Sequence, residues 1–218
     1  MRYYLESDGK VFTIERGGSL LDLPQRSEIP FGFDEIAPLA TSEPVMFCVP
    51  HLSRHPREWL GKDELASHAH ASRLVREAIH STMHRVVVEA ICIDRGEILL
   101  VKGSRGLTEG RWSLPGGFLR FGEGPQEGLL REMREELRVE GHIESLLDVR
   151  AKLGETSRLH WMMLFYRISL SGTLDPDPDE ITDARYFPLQ EAADQLSDGL
   201  MRQVILDIAK EASSQSGM

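Results

Sequence analysis

The amino-acid sequence predicts a mixed α/β protein that begins with a small β-rich extension. Apolar segments with strand character alternate with segments of helical periodicity from about Arg85 onward, a pattern typical of α/β domains. Before that point, prolines recur through residues 17–61, which argues for short strands and loops. A chain of 218 residues, 41% of them hydrophobic, can bury one good core, or one core with a small annex. We therefore expect an extension over residues 1–83 and a main domain over residues 84–218.

The extension is expected to contain a hairpin and a helix. Tyr3–Glu6 and Val11–Glu15 alternate in the manner of strands, and the Asp8-Gly9 dipeptide between them suits the positive φ angles of a tight turn. Between Asp63 and Met83, apolar residues recur at helical spacing along one face. We expect this segment to form one helix that joins the extension to the main domain.

The main domain is expected to alternate strands and helices. Two apolar strands separated by a turn at residues 94–96 come first, followed by a glycine turn and an acidic helix. A loop rich in aspartate and proline occupies residues 175–180. The predicted strands and extended segments are Val86–Ile93, Ile98–Val101, 142–151, Leu159–Leu170 and Tyr186–Phe187, and the predicted final helices are Leu189–Leu196 and Met201–Ala212.

The charge balance restricts the kind of partner. The net charge is −10 and the pI is near 5.3, so a surface for a nucleic acid polymer or an anionic membrane is not expected. A phosphorylated substrate would have to be neutralised locally, by metal ions or by a few placed Lys and Arg side chains. Cys48 and Cys92 lack C-x-x-C spacing and fit a reducing compartment. Because no apolar run resembles a signal core or a membrane span, we expect a cytoplasmic protein.

Eight histidines raise the alternative of a zinc site. Some lie near Cys48 in the sequence, and His80 and His84 are one helical turn apart. They lack the paired ligand spacing of structural zinc sites, so surface or capping positions are favoured.

The acidic helix is the most informative segment. Residues 116–139 read GGFLRFGEGPQEGLLREMREELRV, and helical spacing places Glu132, Glu135 and Glu136 on one face, where their charges repel. A solvated acidic face is the simple interpretation. An apolar stripe runs beside these carboxylates, however, so the acidic edge borders the core. A hard divalent cation such as Mg²⁺ or Mn²⁺ would relieve the repulsion. The stripe consists of Leu129, Leu130, Met133 and Leu137.

Two neighbouring features support a metal site. Arg131 lies one turn before Glu135 and can fix a carboxylate through two hydrogen bonds, although an ordinary helical ion pair is the alternative. The turn Pro115-Gly116-Gly117 supplies backbone that can approach an ion or a phosphate closely, because glycine has no side chain.

The spacing of these residues resembles the Nudix box, G-x5-E-x7-R-E-U-x-E-E-x-G-U, in which U is a bulky apolar residue. Every charged position matches, and the departure is Arg138, where the box has its second glycine. The flanking segments GRWSLPGG and PDEITDARYFPLQE are also similar to the family, so the resemblance covers about residues 85–210. The matching residues are Gly117, Glu123, Arg131, Glu132, Met133, Glu135, Glu136 and Val139.

The resemblance implies an α/β/α sandwich around a mixed sheet and the activity of a Nudix hydrolase. Such enzymes typically split the pyrophosphate of a nucleoside diphosphate linked to another group, using Mg²⁺ or Mn²⁺. Carried over to this chain, the implied metal ligands are Glu132, Glu135, Glu136 and the carbonyl of Gly117.

The resemblance also implies roles for residues around the ligands. Glu123 is expected to pair with Arg131 or to support the ligands. Glu180, in the acidic loop, is the best distal candidate for a general base, although a box glutamate or a purely solvated loop remain alternatives. At Arg138, the family glycine often takes the left-handed conformation, which costs another residue about 1 kcal/mol. Arg138 removes no metal ligand, so the departure bears on the local backbone geometry at the end of the helix more than on activity.

Four residues are candidates for substrate binding. Lys102, Arg105 and Arg111 are the nearest basic residues before the box and are candidates for phosphate contacts, with surface placement as the alternative. Trp161 is a candidate to stack on a purine, whereas core packing is favoured for Phe165.

The favoured substrate is ADP-ribose or a similar nucleotide sugar or dinucleotide, because the chain length and the extension resemble that branch of the family. One alternative is a catalytically silent domain that binds a nucleotide and reports it to a partner, although intact carboxylates disfavour it. Another is a hydrolase that releases pyrophosphate from oxidised nucleoside triphosphates. Extensions in this family often build a dimer interface or complete the substrate pocket, so we expect a homodimer.

Overall fold

The computed structural model describes residues 1–155 and 157–215, which form two compact units. The first unit contains Met1–His84 together with the described residues of Leu153–His160. The second contains Arg85–Lys152 and the described residues from Trp161 onward.

The first unit is rich in strands, as predicted. Five of its strands form a sheet in the order β5-β6-β1-β2-β7, and β3 pairs with β4. The turn between β1 and β2 has positive φ at both Asp8 (52°) and Gly9 (69°), so the predicted hairpin is confirmed. The strands are β1 (Arg2–Ser7), β2 (Lys10–Val11), β3 (Ile14–Arg16), β4 (Leu20–Asp22), β5 (Phe33–Pro38), β6 (Val45–Pro50) and β7 (Leu60–Gly61), and the helices are α1 (Lys62–Ser67) and α2 (Arg73–Thr82).

The single helix predicted over residues 63–83 is wrong, because the chain breaks between α1 and α2. Ser72 begins the second helix by accepting a hydrogen bond at its hydroxyl from the Val75 amide (3.1 Å). The backbone before it pairs with β4 instead, since the Ser72 amide donates to the Leu21 carbonyl at 2.8 Å. The predicted strand Val11–Glu15 is likewise divided between β2 and β3.

The second unit alternates strands and helices as predicted. Its strands are β8 (Arg85–Ile91), β9 (Ile93–Asp94), β10 (Glu97–Gly103), β11 (Trp112–Ser113), β12 (Gly116–Phe118), β13 (Glu140–Leu153), β14 (His160–Ser171) and β15 (Ile181–Pro188). Its helices are α3 (Pro125–Leu137), α4 (Leu189–Gln195) and α5 (Gly199–Gln215). Short 3₁₀ turns lie at Arg26–Glu28 in the first unit and at Gly106–Thr108 in the second.

Two mixed or antiparallel sheets form the centre of the second unit. One has the order β12-β8-β14-β13, with β8 parallel to β14 and antiparallel to β12. The other has the order β11-β10-β15, with β9 also paired to β10. No helix in the described residues is long and apolar enough to cross a membrane.

Strand alternation explains how helices cover both faces of the sheets. Successive side chains of a strand point to opposite faces, so apolar runs such as VVVEAICI bury residues on both sides. One face of the strands packs with the apolar stripe of α3, through Val88, Ala90, Leu99 and Val101. The side chains of the opposite face pack with α4 and α5, and they include Val87, Ile91, Ile98 and Leu100. This arrangement confirms the predicted α/β/α architecture and places the acidic edge of α3 beside a sheet.

Candidate active site

Helix α3 holds the motif carboxylates at different depths. Pro125 occupies its first turn, and the Glu127 carboxylate accepts a hydrogen bond from the Gly124 amide (3.0 Å), so the start of the helix is well capped. Burial of the apolar stripe draws Glu132 and Glu136 inward, and each is only 8% exposed. Glu135 lies further out, with 41% of its side chain exposed.

Arg131 is the centre of a carboxylate network. Its Nε and Nη2 atoms donate to the two oxygens of Glu123 at 2.7 and 2.9 Å, a two-bond pairing. Its Nη1 atom donates to Glu132 at 2.7 Å and to Glu135 at 2.9 Å. The Phe118 carbonyl accepts a further bond from Nη2 at 3.0 Å. Arg131 therefore orients three acidic side chains and does more than form a helical ion pair.

The network sets the charge state of its outer members. Hydrogen bonds from Arg131, and then from the Arg120 amide, lower the pKa of Glu123 to about 2. Burial alone would raise the pKa of Glu135, but hydrogen bonds from Arg131 and Arg120 lower it. The Arg120 side chain, which sequence analysis did not single out, donates to both oxygens of Glu135 at 2.8 and 3.0 Å.

The glycine turn fits closely against Glu132. A Cβ atom on Gly117 would lie 2.6 Å from Glu132 Oε1, closer than side-chain carbons approach, so only glycine leaves this carboxylate in place. Burial raises the pKa of Glu132, and the Arg131 guanidinium opposes that effect. The chain therefore places the Gly117 backbone and the Glu132 carboxylate side by side, which is the arrangement that the resemblance implied.

Glu136 contacts the same glycine turn. The Gly116 amide donates to Glu136 Oε2 at 3.1 Å. Burial raises the pKa of Glu136 to about 8; the Gly116 hydrogen bond opposes this, and the charges of Glu132 and Glu180 add to it. Glu136 and Glu180 line one cavity of about 160 Å³, so the acidic loop does reach the box carboxylates.

Arg105 is the predicted substrate-binding residue that lies nearest to this cavity. It lines the cavity, and its Nη2 atom contacts Glu180 Oε1 at 2.5 Å. Lys102 lies with its Nζ atom 6.0 Å from the Trp112 ring centroid, and Arg111 is exposed. Trp161 packs against Phe118, with ring centroids 5.5 Å apart. Phe165 is fully buried in the core, as favoured.

One buried carboxylate in the cavity was missed. Glu89 lies on β8, is 5% exposed and lines the same cavity as Glu136. Burial, followed by the charges of Glu136 and Asp198, raises the pKa of Glu89 well above the usual range. The available signal was a lone acidic residue inside the otherwise apolar run VVVEAICI.

The donor set fits a hard divalent cation. Three acidic residues line the cavity and a fourth, Glu132, lies against the adjacent Gly117. Burying several like charges is costly unless a cation compensates them. Carboxylate and carbonyl oxygens are the ligands that Mg²⁺ and Mn²⁺ prefer. Among residues 1–155 and 157–215, no three His, Cys, Asp or Glu side chains converge tightly enough to form a metal site. Two of the predicted ligands instead contact Arg131. The three acidic residues that line the cavity are Glu89, Glu136 and Glu180.

Helix α3 ends at the one position that departs from the motif. Arg138 has φ 53° and ψ 37°, the left-handed conformation expected there. Its amide donates to the Arg134 carbonyl at 3.1 Å, and its side chain pairs with Asp175 at 2.8 Å. Arg138 thus takes the conformation that the family glycine often adopts, and each box carboxylate stays on the helix.

Comparison with known proteins points to one family. The sequence model of the NUDIX domain matches residues 83–207. An ADP-ribose pyrophosphatase of Methanocaldococcus jannaschii is 30% identical over 104 residues, which are 48% of this chain and 62% of that protein. The NAD-capped RNA hydrolase NudC of Pseudomonas putida is 36% identical over 103 residues, 46% of this chain and 36% of that protein. The chain thus spans less than two thirds of the length of either relative.

A solved structure agrees with the sequence comparison. The MutT NUDIX hydrolase from Burkholderia pseudomallei is 28% identical, with a TM-score of 0.50 over 56% of this chain and 96% of that one. The residues that the NUDIX model matches contain helix α3 and the carboxylate network described above. The chain belongs to the NUDIX family.

Proposed function

We propose that the second unit is a metal-dependent hydrolase that cleaves the pyrophosphate bond of a nucleoside diphosphate linked to another group. The observation that carries this proposal is that Glu136, Glu180 and Gly116 line one small cavity, while Glu132 lies against the adjacent Gly117. Such a cluster suits a substrate whose own phosphate oxygens complete the coordination of a cation. The names of the two curated relatives support the substrate class, since ADP-ribose and NAD each contain adenosine diphosphate joined to another group.

Mg²⁺ or Mn²⁺ would be held by Glu132, Glu135, Glu136 and the Gly117 carbonyl. When bound, the metal polarises phosphoryl oxygens and makes water a stronger nucleophile. Arg131 positions two of these ligands, because one guanidinium nitrogen donates to Glu132 and Glu135 while Glu123 holds the other edge.

Glu180 and Arg105 have complementary roles in this proposal. Arg105 exchanges its contact with Glu180 for a substrate phosphate oxygen, which its mostly exposed side chain can reach. The freed Glu180 carboxylate then accepts a proton from the attacking water. Gly116 and Gly117 leave backbone accessible beside the phosphates.

Among substrates of this class, we favour a small one such as ADP-ribose over a capped RNA. The chain carries a net charge of −10, which disfavours contact with a long polyanion. The buried carboxylates also argue against a silent nucleotide sensor, since a binding module gains nothing from their mutual repulsion.

We also propose that the protein acts in the cytoplasm as a homodimer. Cys48 and Cys92 are buried free thiols, which suits a reducing compartment. The edge strand β13 exposes Leu146, Leu147 and Val149, apolar side chains that a second copy could cover. Light scattering after size-exclusion chromatography tests the stoichiometry.

The function is tested by incubating the protein with Mn²⁺ or Mg²⁺ and a panel of nucleotides, with identification of products. The panel contains ADP-ribose, NAD, a nucleotide sugar and nucleoside triphosphates. We expect AMP and ribose 5-phosphate from ADP-ribose. Pyrophosphate released from a triphosphate would favour the triphosphate hydrolase, and binding without any product would favour the sensor.

A further inference from the structure

The cavity contains an acidic side chain that the family motif does not include. Glu89 lies on β8, between residues that pack toward α4 and α5, and is 5% exposed. Carboxylates this deeply buried are uncommon unless paired with a cation or a hydrogen-bond donor. Glu89 therefore needs an explanation of its own.

Among the residues that the structure describes, no group accounts for the burial of Glu89. Within residues 1–155 and 157–215, its carboxylate takes part in no hydrogen bond or ion pair. Every fully enclosed side-chain oxygen in that part of the chain does have a hydrogen-bond partner. The Glu89 oxygens are therefore not fully enclosed, and they face the cavity that the residue lines.

The charges around Glu89 do not compensate it. Glu136, Asp198 and Glu132 act on it with the same sign, and Lys152 is the opposing cation. The Lys152 ammonium is already paired with the Asp198 carboxylate. The surroundings of Glu89 thus retain an excess of negative charge that a cation in the cavity would offset.

Strand pairing brings Glu89 and Glu136 to the same turn. Gly116 on β12 lies directly opposite Glu89 on β8 in the antiparallel register. The same Gly116 donates its amide to the Glu136 carboxylate at 3.1 Å. A strand and a helix therefore each supply one carboxylate to the space beside one glycine.

We propose that Glu89 binds a divalent metal ion together with Glu136, as a ligand supplied by strand β8 from outside the motif helix. This inference rests on the proposed function for its choice of Mg²⁺ or Mn²⁺. A divalent cation balances two carboxylates, accepts hard oxygen donors and keeps positions for water or phosphate. Glu89 and Glu136 thus form a ligand pair that joins the two elements on either side of the glycine turn.

Direct Mn²⁺ binding without nucleotide tests this proposal. Free Mn²⁺ is measured by electron paramagnetic resonance during titration of wild type, Glu89→Gln and the control Glu97→Gln. Glu97 is an exposed glutamate at the start of strand β10, in the other sheet, so its amide variant removes the same charge away from the cavity. We expect Glu89→Gln to weaken Mn²⁺ binding more than about tenfold, or to remove one bound ion, and Glu97→Gln to bind as wild type does.

Thermal unfolding in EDTA provides the folding control. Glu89→Gln keeps the shape of the side chain and removes charge repulsion, so its melting temperature without metal should equal or exceed that of wild type. Added Mn²⁺ should then raise its melting temperature less than that of wild type. If the amide variant does not fold, Glu89→Met keeps the side-chain length and should show the same loss of Mn²⁺.

The outcomes separate this inference from the proposed function. Wild-type Mn²⁺ affinity in a folded Glu89→Gln protein would overturn the ligand role even if nucleotides are hydrolysed. Loss of Mn²⁺ in that variant would support the role even if the nucleotide panel gives no product. A wild-type protein that binds no Mn²⁺ would overturn both.

Discussion

At the scale of single residues, neighbouring glutamates on α3 have different electrostatic environments. Glu135 is exposed and held by Arg131 and Arg120, so its pKa is lowered. Glu136 is one position along, buried against the sheet, and burial raises its pKa to about 8. Helical geometry explains the difference, because a step of one residue turns a side chain by about 100°. The sequence shows which residues are acidic, but their depth depends on the strands that pack against the helix.

The stability of the protein is expected to be sensitive even to a conservative substitution of Arg131. Its guanidinium makes two parallel bonds to Glu123 within a site where the two side chains are 12% and 14% exposed. Lysine keeps the charge but cannot make both bonds while also reaching Glu132. We predict that Arg131→Lys lowers the free energy of unfolding by about 1–3 kcal/mol, measured by urea denaturation.

Arg134→Lys is the matched control for this prediction. Arg134 lies on the same helix and makes only a longer, exposed contact to Glu140 at 3.5 Å. Its replacement should change the free energy of unfolding by less than about 0.5 kcal/mol. Equal effects of the two substitutions would contradict the central position of Arg131.

The raised pKa of Glu136 predicts a pH-dependent stability of the metal-free protein. The folded state keeps a proton on Glu136 up to about pH 8, whereas the unfolded chain releases it near its ordinary pKa of 4.5. The contribution of Glu136 to the free energy of unfolding is thus fully present below pH 4.5 and is lost as the pH rises toward 8. Melting temperatures in EDTA should fall over this range, and less so in Glu136→Gln.

Glu123 should make the stability of the folded protein depend on pH in the opposite direction, and at lower pH. Its folded pKa is lowered to about 2, so its contribution to stability is present above its ordinary pKa of 4.5 and is lost as the pH falls toward 2.

For the Glu136 prediction, identical pH profiles of the melting temperature for wild type and Glu136→Gln between pH 4.5 and 8 would contradict the assignment to Glu136.

At the scale of elements, local signals predicted well where one segment determines its own structure. The hairpin at Asp8-Gly9 and helix α3 with Pro125 at its start were predictable from turn and capping chemistry. The break between α1 and α2 was not, because the segment before Ser72 pairs with β4, some fifty residues earlier in the chain. Apolar periodicity continues across that break and hides it.

The same reasoning explains why Glu89 was missed. Its importance comes from Gly116 on another strand and from Glu136 on a helix, neither of which is near it in sequence. Glu180 was predictable only through the family resemblance. Two long strands, β13 and β14, separate it in sequence from the carboxylates of α3, although it lines the same cavity as Glu136. Residues that share a site but not a segment leave no local pattern.

The end of α3 offers a test at this scale. Arg138 adopts φ 53°, which costs a residue with a side chain about 1 kcal/mol relative to glycine. Its ion pairs to Asp175 and Asp177 are exposed and contribute little. We predict that Arg138→Gly raises the free energy of unfolding by up to about 1 kcal/mol, measured by urea denaturation.

The variant Arg138→Ala separates the cost of the left-handed backbone from the contribution of the ion pairs. It removes the same ion pairs but keeps the backbone strain, so it should be less stable than Arg138→Gly. A glycine variant no more stable than the alanine variant would show that the left-handed conformation carries no cost here.

At the scale of the whole molecule, charge explains why a cation is central to the proposal. The chain carries −10, and three arginines near the site are each paired with carboxylates. A substrate with two phosphates adds further negative charge to this acidic region. Local neutralisation by a divalent ion is the means by which such a protein can bind an anionic substrate. The arginines are Arg105, Arg120 and Arg131.

The most direct test is the Mn²⁺-dependent release of AMP from ADP-ribose by wild type and by Glu136→Gln. The variant keeps the shape of Glu136 but removes a buried ligand charge, whereas the control Glu140→Gln neutralises an exposed glutamate beyond the helix. We predict AMP release by wild type and the control, and a loss of at least about a hundredfold in Glu136→Gln. Undiminished turnover by a folded Glu136→Gln protein would contradict the carboxylate site, and absence of product from any nucleotide with wild type would contradict the hydrolase.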